Sequence, residues 1–536
     1  MAMATRNIVI VAFQDQPNLG VGYIAGILID HGFEVVLLDF RSGPQAILER
    51  IQSLDPLLVG LSIIFQYYTP DFAQLVSYLR SHGVTTAICA GGHYPSLEPA
   101  ETLRSMGGID FIVRFEGEHT LLEIAQHLLE GKDWRNVQSI AHLENGKLVT
   151  TPLRPLIDDL DALPPAKRWS FDYHCLGIRA TSLLASRGCP RACSFCSIRR
   201  FYSIPPGRIR RTRSPENVLQ EMRDLYHGYD VRIFLFQDDD FSLLSARDRE
   251  WSGRFVDCLR QSELDGKVIW KISCRSDEIE PEIFTAFRSV GLYMVYLGIE
   301  SGNEAGLQTL NKHIRVEQNL NAVQVLKNLG LRYDFGFMLF DPSSTMETVL
   351  ENIRFLKNIC GDGSATVSFG KTLPYAGTDL EARMRQEARL CGDPWSPDYR
   401  FLEERTGAWF SYLCEVFYTW VYGGQSLQAQ LRWGMFEADV MNRFYPSTAG
   451  LDEHRGRLTF LVQWYNEIYC KIVEDSAEVF RSADSESRYA LMSIRSAAEQ
   501  QRRWLEDQVA LQRQSFFTHS GFPLELVVGE VGQPAG

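Results

Sequence analysis

The chain of 536 residues is too long for one hydrophobic core, and its length predicts about three domains. Hydrophobic residues make up 45% and charged residues 23%, with no apolar run long enough to cross a bilayer and no secretory pattern at the start, so the expected address is the cytoplasm, away from membranes. A formal charge of −13, from 54 Lys and Arg against 67 Asp and Glu, argues against a surface built for nucleic acid.

From Asn7 to Leu128, short apolar runs alternate with amphipathic stretches. NIVIVAF (7–13), EVVLLDF (34–40), LLVGLSII (57–64), TAICAGG (86–92) and DFIVRFEGE (110–118) predict buried strands. Between them, VGYIAGILIDHG, PQAILERIQSL, TPDFAQLVSYLRSHG and PAETLRSMGG carry apolar residues at helical spacing, several ending on Gly. The alternation predicts an α/β, Rossmann-like domain over residues 1–145, a parallel sheet with helices on both faces. Ligands of such sheets bind beyond the carboxyl ends of the strands, near a topological switch point. The segments that fall there are DQPNLG (15–20), SIIFQYY (62–68), GGHYPS (91–96) and FEGEHT (115–120). They make Ser62, Gly91, Gly92, His93, Glu116, Gly117, Glu118 and Thr120 candidates for contact with a planar or phosphate-bearing ligand, because small residues let it reach the backbone. Ordinary turns are the competing reading.

The periodicity breaks down over residues 146–176, where DDLDALPPAKRWSFDYH is Pro-rich and charged and reads as a linker. A second α/β run covers residues 177–385, with strands expected near 181–187, 231–237, 268–274, 293–299, 332–340 and 365–372. Helices such as PENVLQEMRDLYHG and PEIFTAFRSVG separate them, which predicts a partial TIM barrel, (β/α)6. Reactive groups of a barrel stand at the carboxyl ends of its strands. In chain order these strands run into Cys189; Asp238, Asp239 and Asp240; Arg275 and Asp277; Glu300 and Ser301; Asp341; and Pro374 and Tyr375. At any one position a helix N-cap explains a charge equally well, but six in one register are harder to dismiss. Residues 386–536 lack strand signals and predict a mainly helical C-terminal domain, whose stretches GAWFSYLCEVFYTWVYGG and LTFLVQWYNEIYCKIVEDSAEVF supply aromatics to a core and to the shaping of a substrate pocket.

Eleven cysteines are mostly scattered singly through apolar segments, as buried hydrophobes of a reducing compartment. One group is clustered. ASRGCPRACSFCSIRR sets Cys189, Cys193 and Cys196 at CxxxCxxC spacing on a loop leaving a strand, where three thiolates can wrap one iron–sulfur cluster with no fourth cysteine in the motif. A [4Fe–4S] cubane held this way exposes one iron to an outside ligand, as catalytic metal sites keep a position open. Zinc is the competing reading; it calls for a fourth ligand, such as His174 or Cys175, and more commonly uses paired CxxC knuckles. A redox disulfide leaves the third thiol unexplained. Arg187, Arg191, Arg199, Arg200, Arg208, Arg210, Arg211 and Arg213 surround the motif, either as a solvated loop or as a positive lining for an anionic cofactor.

CxxxCxFC at the end of a first barrel strand resembles the radical S-adenosylmethionine (SAM) superfamily. RTRSPENVLQEM (211–222), FLFQDDDFS (234–242), CRSDEI (274–279), YLGIESGNEAGLQTLNK (296–312), FGFMLFDPSSTMET (335–348) and TLPYAGT (372–378) resemble its class B, cobalamin-associated branch. QPNLGVGYIAGILIDHGFEVVLLD, VGLSIIFQYYTPDFAQLV, AGGHYPSLEPAETL and FEGEHTLLEIAQHL are similar to that branch's cobalamin-binding domain, so the resemblance spans residues 7–380.

The resemblance implies that the three cysteines hold the cluster, that the amino and carboxylate groups of SAM chelate the open iron, and that reduction releases a 5′-deoxyadenosyl radical. It implies contact of the SAM amino group with Asp238, Asp239 and Asp240, and of the ribose and methionyl part with Glu300 and Ser301. Arg275 would take the SAM carboxylate, since a guanidinium fork suits it, and Phe195 would shield the cluster or stack on the adenine. Cobalamin is the third implied cofactor, held by the N-terminal candidates. Methionine-synthase-like cobalamin domains carry a DxHxxG loop whose His ligates cobalt; here DQPNLG has Pro17 in that place, with no lone pair to give.

The implied activity is cobalamin-dependent C-methylation of an unactivated carbon in a small metabolite or natural-product intermediate. Its partners would be that substrate and an external one-electron reductant such as flavodoxin or ferredoxin, with no nucleic acid. A second reading keeps the same domains for a non-methylating cyclisation or rearrangement. A third, a non-catalytic corrinoid carrier, gives the open-site cluster no purpose.

Overall fold

The computed structural model describes residues 6–14, 18–482 and 487–527, so Pro17 lies outside the described residues. The chain divides into two units: Met1–Ser170, Ser182–Glu221 and Leu373–Tyr399 form one, and Phe171–Thr181, Met222–Thr372 and Arg400–Gly536 the other.

In the first unit, apolar runs rich in β-branched residues become strands because such side chains pack well on both faces of a covered sheet. β1 (Asn7–Ala12), β2 (Glu34–Asp39), β3 (Leu58–Ser62), β4 (Ala87–Gly91), β5 (Phe111–Val113), β6 (Ile140–Glu144) and β7 (Lys147–Thr150) form one sheet of order β2-β1-β3-β4-β5-β6-β7. β1 to β5 run parallel, and the β6–β7 hairpin continues the sheet antiparallel, so the boundary expected at 145 falls inside that hairpin's turn. α1 (Leu19–Asp30), α2 (Pro44–Leu54), α3 (Thr69–Ser81), α4 (His93–Leu97), α5 (Pro99–Ser105) and α6 (Glu118–Leu129) make the connections. Asn18 caps α1 by accepting from the Val21 N–H at 3.1 Å. Alternate residues of β1 serve two cores: Ile8 and Ile10 pack with Phe111 and Ile124, and Val9 and Val11 with Phe72 and Leu79. Strand order reverses between β1 and β3, which puts the switch point at their carboxyl ends.

Downstream, β8 (His174–Cys175) pairs antiparallel with β9 (Ile178–Leu183), and β10 (Ser186–Arg187) pairs with β11 (Arg211–Thr212) across a loop containing α7 (Ser197–Ser203). α8 (Pro215–Tyr229), β12 (Val231–Phe236), α9 (Ala246–Arg260), β13 (Ile269–Arg275), α10 (Pro281–Ser289), β14 (Leu292–Glu300), α11 (Glu304–Thr309), α12 (Val316–Asn328), β15 (Arg332–Phe337) and α13 (Met346–Cys360) follow. The sheet order β15-β14-β13-β12-β9-β8, parallel from β12 to β15, is that of a partial barrel. The first barrel strand stops at Leu183, short of the expected 187, because Ser186 and Arg187 peel away to pair with β11. The sixth strand, expected over 365–372, narrows to a single parallel bridge between Phe340 and Lys371.

α14 (Asp379–Gln386) and the hairpin of β16 (Leu390–Asp393) and β17 (Ser396–Tyr399) return to the first unit, and α15 (Glu404–Val421), α16 (Leu427–Phe444), α17 (Leu451–Ser482) and α18 (Ser487–His519) complete the second. These last helices explain the missing strand. Asn466 accepts from the Val367 N–H and donates to the Ala365 carbonyl, and Gln428 donates to the Val367 carbonyl, so side chains take the backbone groups a ladder would use. The same helices close the amino end of the barrel lumen, where Val440, Met441, Leu451, Phe516 and Phe517 pack with Ile178, Ala180, Ile233, Leu235 and Ile269. Among the described residues no helix is long and apolar enough to cross a membrane.

His454 of α17 is buried near this closure, its ring stacked on Phe516 at 4.0 Å. Burial pushes its imidazole down to about 4, against about 6.5 in an unfolded chain. The fold therefore prefers the neutral ring, and the stability it contributes is present above about pH 6.5 and lost as pH falls through about 4. His454→Phe is expected to flatten the decline of the thermal midpoint over that acid range. Parallel declines in the two proteins would contradict the assignment.

Candidate active site

The cysteine loop leaves β10 through Gly188, whose φ is +79° and where a Cβ would collide with the Ile209 carbonyl, so glycine is needed for the chain to turn out here. Cys189, Cys193 and Cys196 follow, all partly buried, with Phe195 half-buried beside the last. The Cys196 N–H donates to the Cys193 carbonyl at 3.2 Å, and α7 starts at the next residue. The Leu380 N–H of α14 donates to the Ser194 carbonyl at 2.8 Å, which ties down the middle of the loop. Among the described residues no three His, Cys, Asp or Glu stand close enough together to hold one metal ion. Zinc needs its ligands gathered on a single ion, whereas the thiolates of a cubane each grip a different iron. Three cysteines on a short loop fit the cluster, and the proposed fourth zinc ligands, His174 and Cys175, belong to the other unit.

Within the first unit, the loop is fastened to the carboxyl edge of the seven-stranded sheet. Phe201 of α7 meets the His93 ring at 4.5 Å and the Phe115 ring at 5.2 Å, in a small core with Leu156 and Tyr202. Beside it lies a buried ion-pair network. Glu116 accepts from Arg211 at 2.8 Å and from Arg187 at 3.2 Å, Arg187 also pairs with Glu118 at 2.7 Å, and the Ile157 N–H donates to Glu116 at 2.7 Å. The Arg187 guanidinium also lies over the Tyr23 ring at 4.9 Å. Burial alone would lower the Arg187 pKa, but Glu118 and Glu116 outweigh it and push it up. A second buried group joins Arg168 and Arg213 to Glu221.

Three arginines of the basic stretch are thus neither a solvated loop nor a cofactor lining: Arg187, Arg211 and Arg213 are buried counter-ions of the protein's own carboxylates. Arg208 pairs with Asp158 at the surface.

The N-terminal candidates divide. Ser62 and Gly91 end their strands in register, and Gly91 accepts from the Ile63 N–H at 2.8 Å. Gly92 has φ +119° and abuts the Ile63 carbonyl, and His93 opens α4 with its imidazole pushed down to about 4 by burial. These four lie at the sheet edge. The carboxylates of Glu116 and Glu118 are taken by arginine, Gly117 packs against Ile24 and Val113, and the Thr120 hydroxyl accepts from Arg154 at 3.1 Å. Residues not singled out from the sequence complete the edge. Ile64, Phe65 and Tyr67 are 43%, 50% and 46% exposed beside the switch point, and the Phe65 and Tyr67 rings stack at 5.5 Å. The helices that follow β3 and β4 carry the buried Thr69 hydroxyl and Tyr94 phenol, which have no hydrogen-bond partner among the described residues. Exposed flat apolar groups beside unsatisfied polar atoms suit a corrinoid, a flat macrocycle rimmed with amides.

In the second unit, Asp238 and Asp240 are buried while Asp239 is exposed, as alternation along an extended chain dictates. The Arg275 guanidinium donates to Asp277 at 2.9 Å and to the Lys312 carbonyl at 2.5 Å, so its fork is already engaged within the barrel. Ser301 is buried in a polar network with Asn303 and Asn352. Asp341 accepts from the Ser343 N–H at 2.7 Å and caps a turn. Glu300 is distinct. Its φ is +64°, which costs a side-chain-bearing residue about 1–2 kcal/mol. Its carboxylate folds back across the lumen face, 3.8 Å from the Lys312 ammonium, over two glycines: a Cβ at Gly298 or Gly336 would stand 3.2 or 3.0 Å from its oxygens. Backbone strain at a strand end, with space cleared for one carboxylate, marks a residue held for contact with a ligand.

Residues 5–125 match the B12 binding domain and residues 183–356 the radical SAM superfamily. Over 377 residues the chain is 30% identical to an uncharacterized methyltransferase of Pyrococcus horikoshii, covering 68% of this chain and 77% of that one. It is 29% identical over 358 residues to the anaerobic magnesium-protoporphyrin IX monomethyl ester cyclase of Rubrivivax gelatinosus, covering 64% of this chain and 62% of that one. The solved structure of OxsB, a cobalamin-dependent SAM radical enzyme with aqua-cobalamin bound, superposes with a TM-score of 0.71 at 15% identity over 97% of this chain and 85% of that one, a likeness of fold that includes the C-terminal helices. A B12-binding sheet followed by a partial barrel whose first strand leads to a three-cysteine loop, with a relative this similar over most of its length, makes the chain a member of the radical SAM superfamily, in the branch that carries a B12-binding domain.

Proposed function

We propose that the chain is a cobalamin-dependent radical SAM methyltransferase acting on an unactivated carbon of a small molecule. The observation that carries this reading is the packing of the cysteine loop, through Phe201, onto the same sheet edge that exposes Ile64, Phe65 and Tyr67. When bound, the cluster supplies the electron that cleaves SAM, SAM the radical that removes a hydrogen from substrate, and cobalamin the methyl group. Cys189, Cys193 and Cys196 hold the cluster and leave one iron open, with Phe195 screening it from water. Asp238, with Asp239 and Asp240, takes the SAM ammonium, and Glu300 accepts from the ribose. Ser62, Gly91, Gly92 and His93 support the corrinoid on the sheet edge. Residues 386–536 shape the substrate pocket, an external flavodoxin or ferredoxin is the electron donor, and the cytoplasm is the place of action.

The relative in Rubrivivax gelatinosus, named as a cyclase, favours a second reading, rearrangement without methyl transfer. Products separate the two. Protein purified without oxygen from a cobalamin-fed culture is expected to hold about four irons and one corrinoid per chain. With SAM and a strong reductant it should yield S-adenosylhomocysteine alongside 5′-deoxyadenosine. 5′-Deoxyadenosine alone, from protein with iron but no corrinoid, would remove methyl transfer and leave the radical chemistry standing.

A further inference from the structure

The barrel lumen holds polar side chains that the reading above leaves unused. On β13, Trp270, Ile272 and Cys274 are buried, and Trp270 packs on the helical side against Phe255 of α9 and Phe287 of α10. Lys271 and Ser273 therefore turn the opposite way, into the lumen. On β14, Tyr296 stands in register with Ser273, and Met294 with Lys271, so the phenol and the ammonium are diagonal neighbours on one face. The Tyr296 hydroxyl reaches over Gly336 of β15, where a Cβ would stand 3.4 Å from it.

Among the described residues, none forms a hydrogen bond or ion pair with the side chains of Lys271, Ser273 or Tyr296. Neighbouring charges in this layer are matched. Arg432 of α16 pairs with Asp334 at 3.0 Å, Arg332 with Asp439 at 2.9 Å, and Lys312 lies 3.8 Å from Glu300. Asp334 and Asp238 act on Lys271 only from beyond contact, and Asp238 is the group assigned above to the SAM ammonium. Burial lowers the Lys271 pKa, which an unpaired ammonium in a shielded lumen requires.

Depth separates this patch from the SAM end. Arg275 ends β13, and Lys271 lies four residues earlier, about 13 Å down the strand at the usual rise. Immediately below, Ile269 belongs to the apolar closure made with the C-terminal helices. A molecule reaching Lys271 would occupy the lumen between that closure and the strand ends whose residues are assigned above to SAM.

We propose that Lys271, Ser273 and Tyr296 form an anion-recognising subsite, and that the substrate carries a carboxylate or phosphate group that docks on it. The inference rests on the enzymatic reading above and names its substrate class. An ammonium flanked by two hydroxyls donates to an oxyanion from three directions, whereas a neutral guest that shut out water would leave the charge uncompensated.

The test is calorimetric titration of the anaerobic holoenzyme, saturated with SAM, by inorganic phosphate, methylphosphonate and benzoate at constant ionic strength. At least one probe is expected to bind in about the millimolar range, about tenfold or more weaker in Lys271→Met and largely restored in Lys271→Arg. Iron content and thermal midpoint establish that the variants are folded. Should Lys271→Met fail to fold, Tyr296→Phe carries the same test, with affinity about threefold weaker. Equal affinity in the variants, or no binding of any probe to parent enzyme that cleaves SAM, overturns the subsite. Parent protein that binds the anion through Lys271 but never cleaves SAM upholds the subsite and refutes the enzymatic reading, so the two failures are distinct.

Discussion

Cys193→Ala is expected to abolish SAM cleavage and cluster binding together. The middle cysteine lies between the turn at Gly188 and the start of α7, on a loop already pinned by Leu380 to the Ser194 carbonyl, and the motif holds no fourth cysteine to replace it. Removing even an outer partner of a metal ligand costs about ten- to a hundredfold; removing one of only three ligands should cost more and take 5′-deoxyadenosine to background. Iron and sulfide analysis supplies the second readout, expected to fall from about four irons per chain to a small residue. Cys391, exposed on β16, provides the matching control, because its replacement by Ala removes a thiol outside the three-cysteine motif. A Cys193→Ala protein that keeps its iron and cleaves SAM would end the cluster assignment.

Glu116→Ala is expected to destabilise the first unit by about 3–5 kcal/mol. The loss is large because the carboxylate neutralises two buried guanidinium groups at once, Arg187 and Arg211, while also accepting from the Ile157 N–H. Arg187 would keep Glu118, but Arg211 would keep, among the described residues, the Ile157 carbonyl and the Tyr202 ring and no carboxylate. Glu116→Gln, which restores acceptor geometry without charge, should recover part of the loss. Domain stabilities are about 5–15 kcal/mol, so the alanine variant should unfold at markedly lower urea concentration or fail to accumulate. Equal urea midpoints for parent and Glu116→Ala would show that the network contributes little. Arg187 lies two residues before Cys189, so the gln variant also reports whether this network steadies the cluster: faster iron loss to a chelator at unchanged fold is the expected sign.

What could be read from the sequence was what chemistry makes local. The cysteines announce themselves by spacing, and the alternating runs place the five parallel strands of the first sheet to within a few residues, but not the β6–β7 hairpin, whose second strand lies in the stretch read as a linker. Glu116 and Glu118 follow a strand end and read from the sequence as cofactor contacts, and nothing nearby in sequence shows that Glu116 has arginine partners 71 and 95 residues away or that Glu118 shares one of them. Arg275 is similar: the Lys312 carbonyl that engages it is 37 residues downstream. The expected sixth strand is apolar enough to be one, yet side chains from two later helices satisfy its backbone. Ile64, Phe65 and Tyr67 stand in SIIFQYY (62–68), and nothing in that sequence shows that these apolar side chains are exposed rather than core. Lys271, mid-strand, reads as a surface position until the topology turns it inward.

The half-barrel does not build its own floor. Val440, Met441, Phe516 and Phe517 seal it from outside the barrel sequence, and Arg432 and Gln428 of α16 reach the strands above. Generating the radical and choosing a guest are therefore written on different stretches of polypeptide. Residues of α16 and α18 can drift to admit a longer, shorter or differently charged molecule while the iron-holding loop stays as it is, a division of labour that lets one ignition system serve many cargoes.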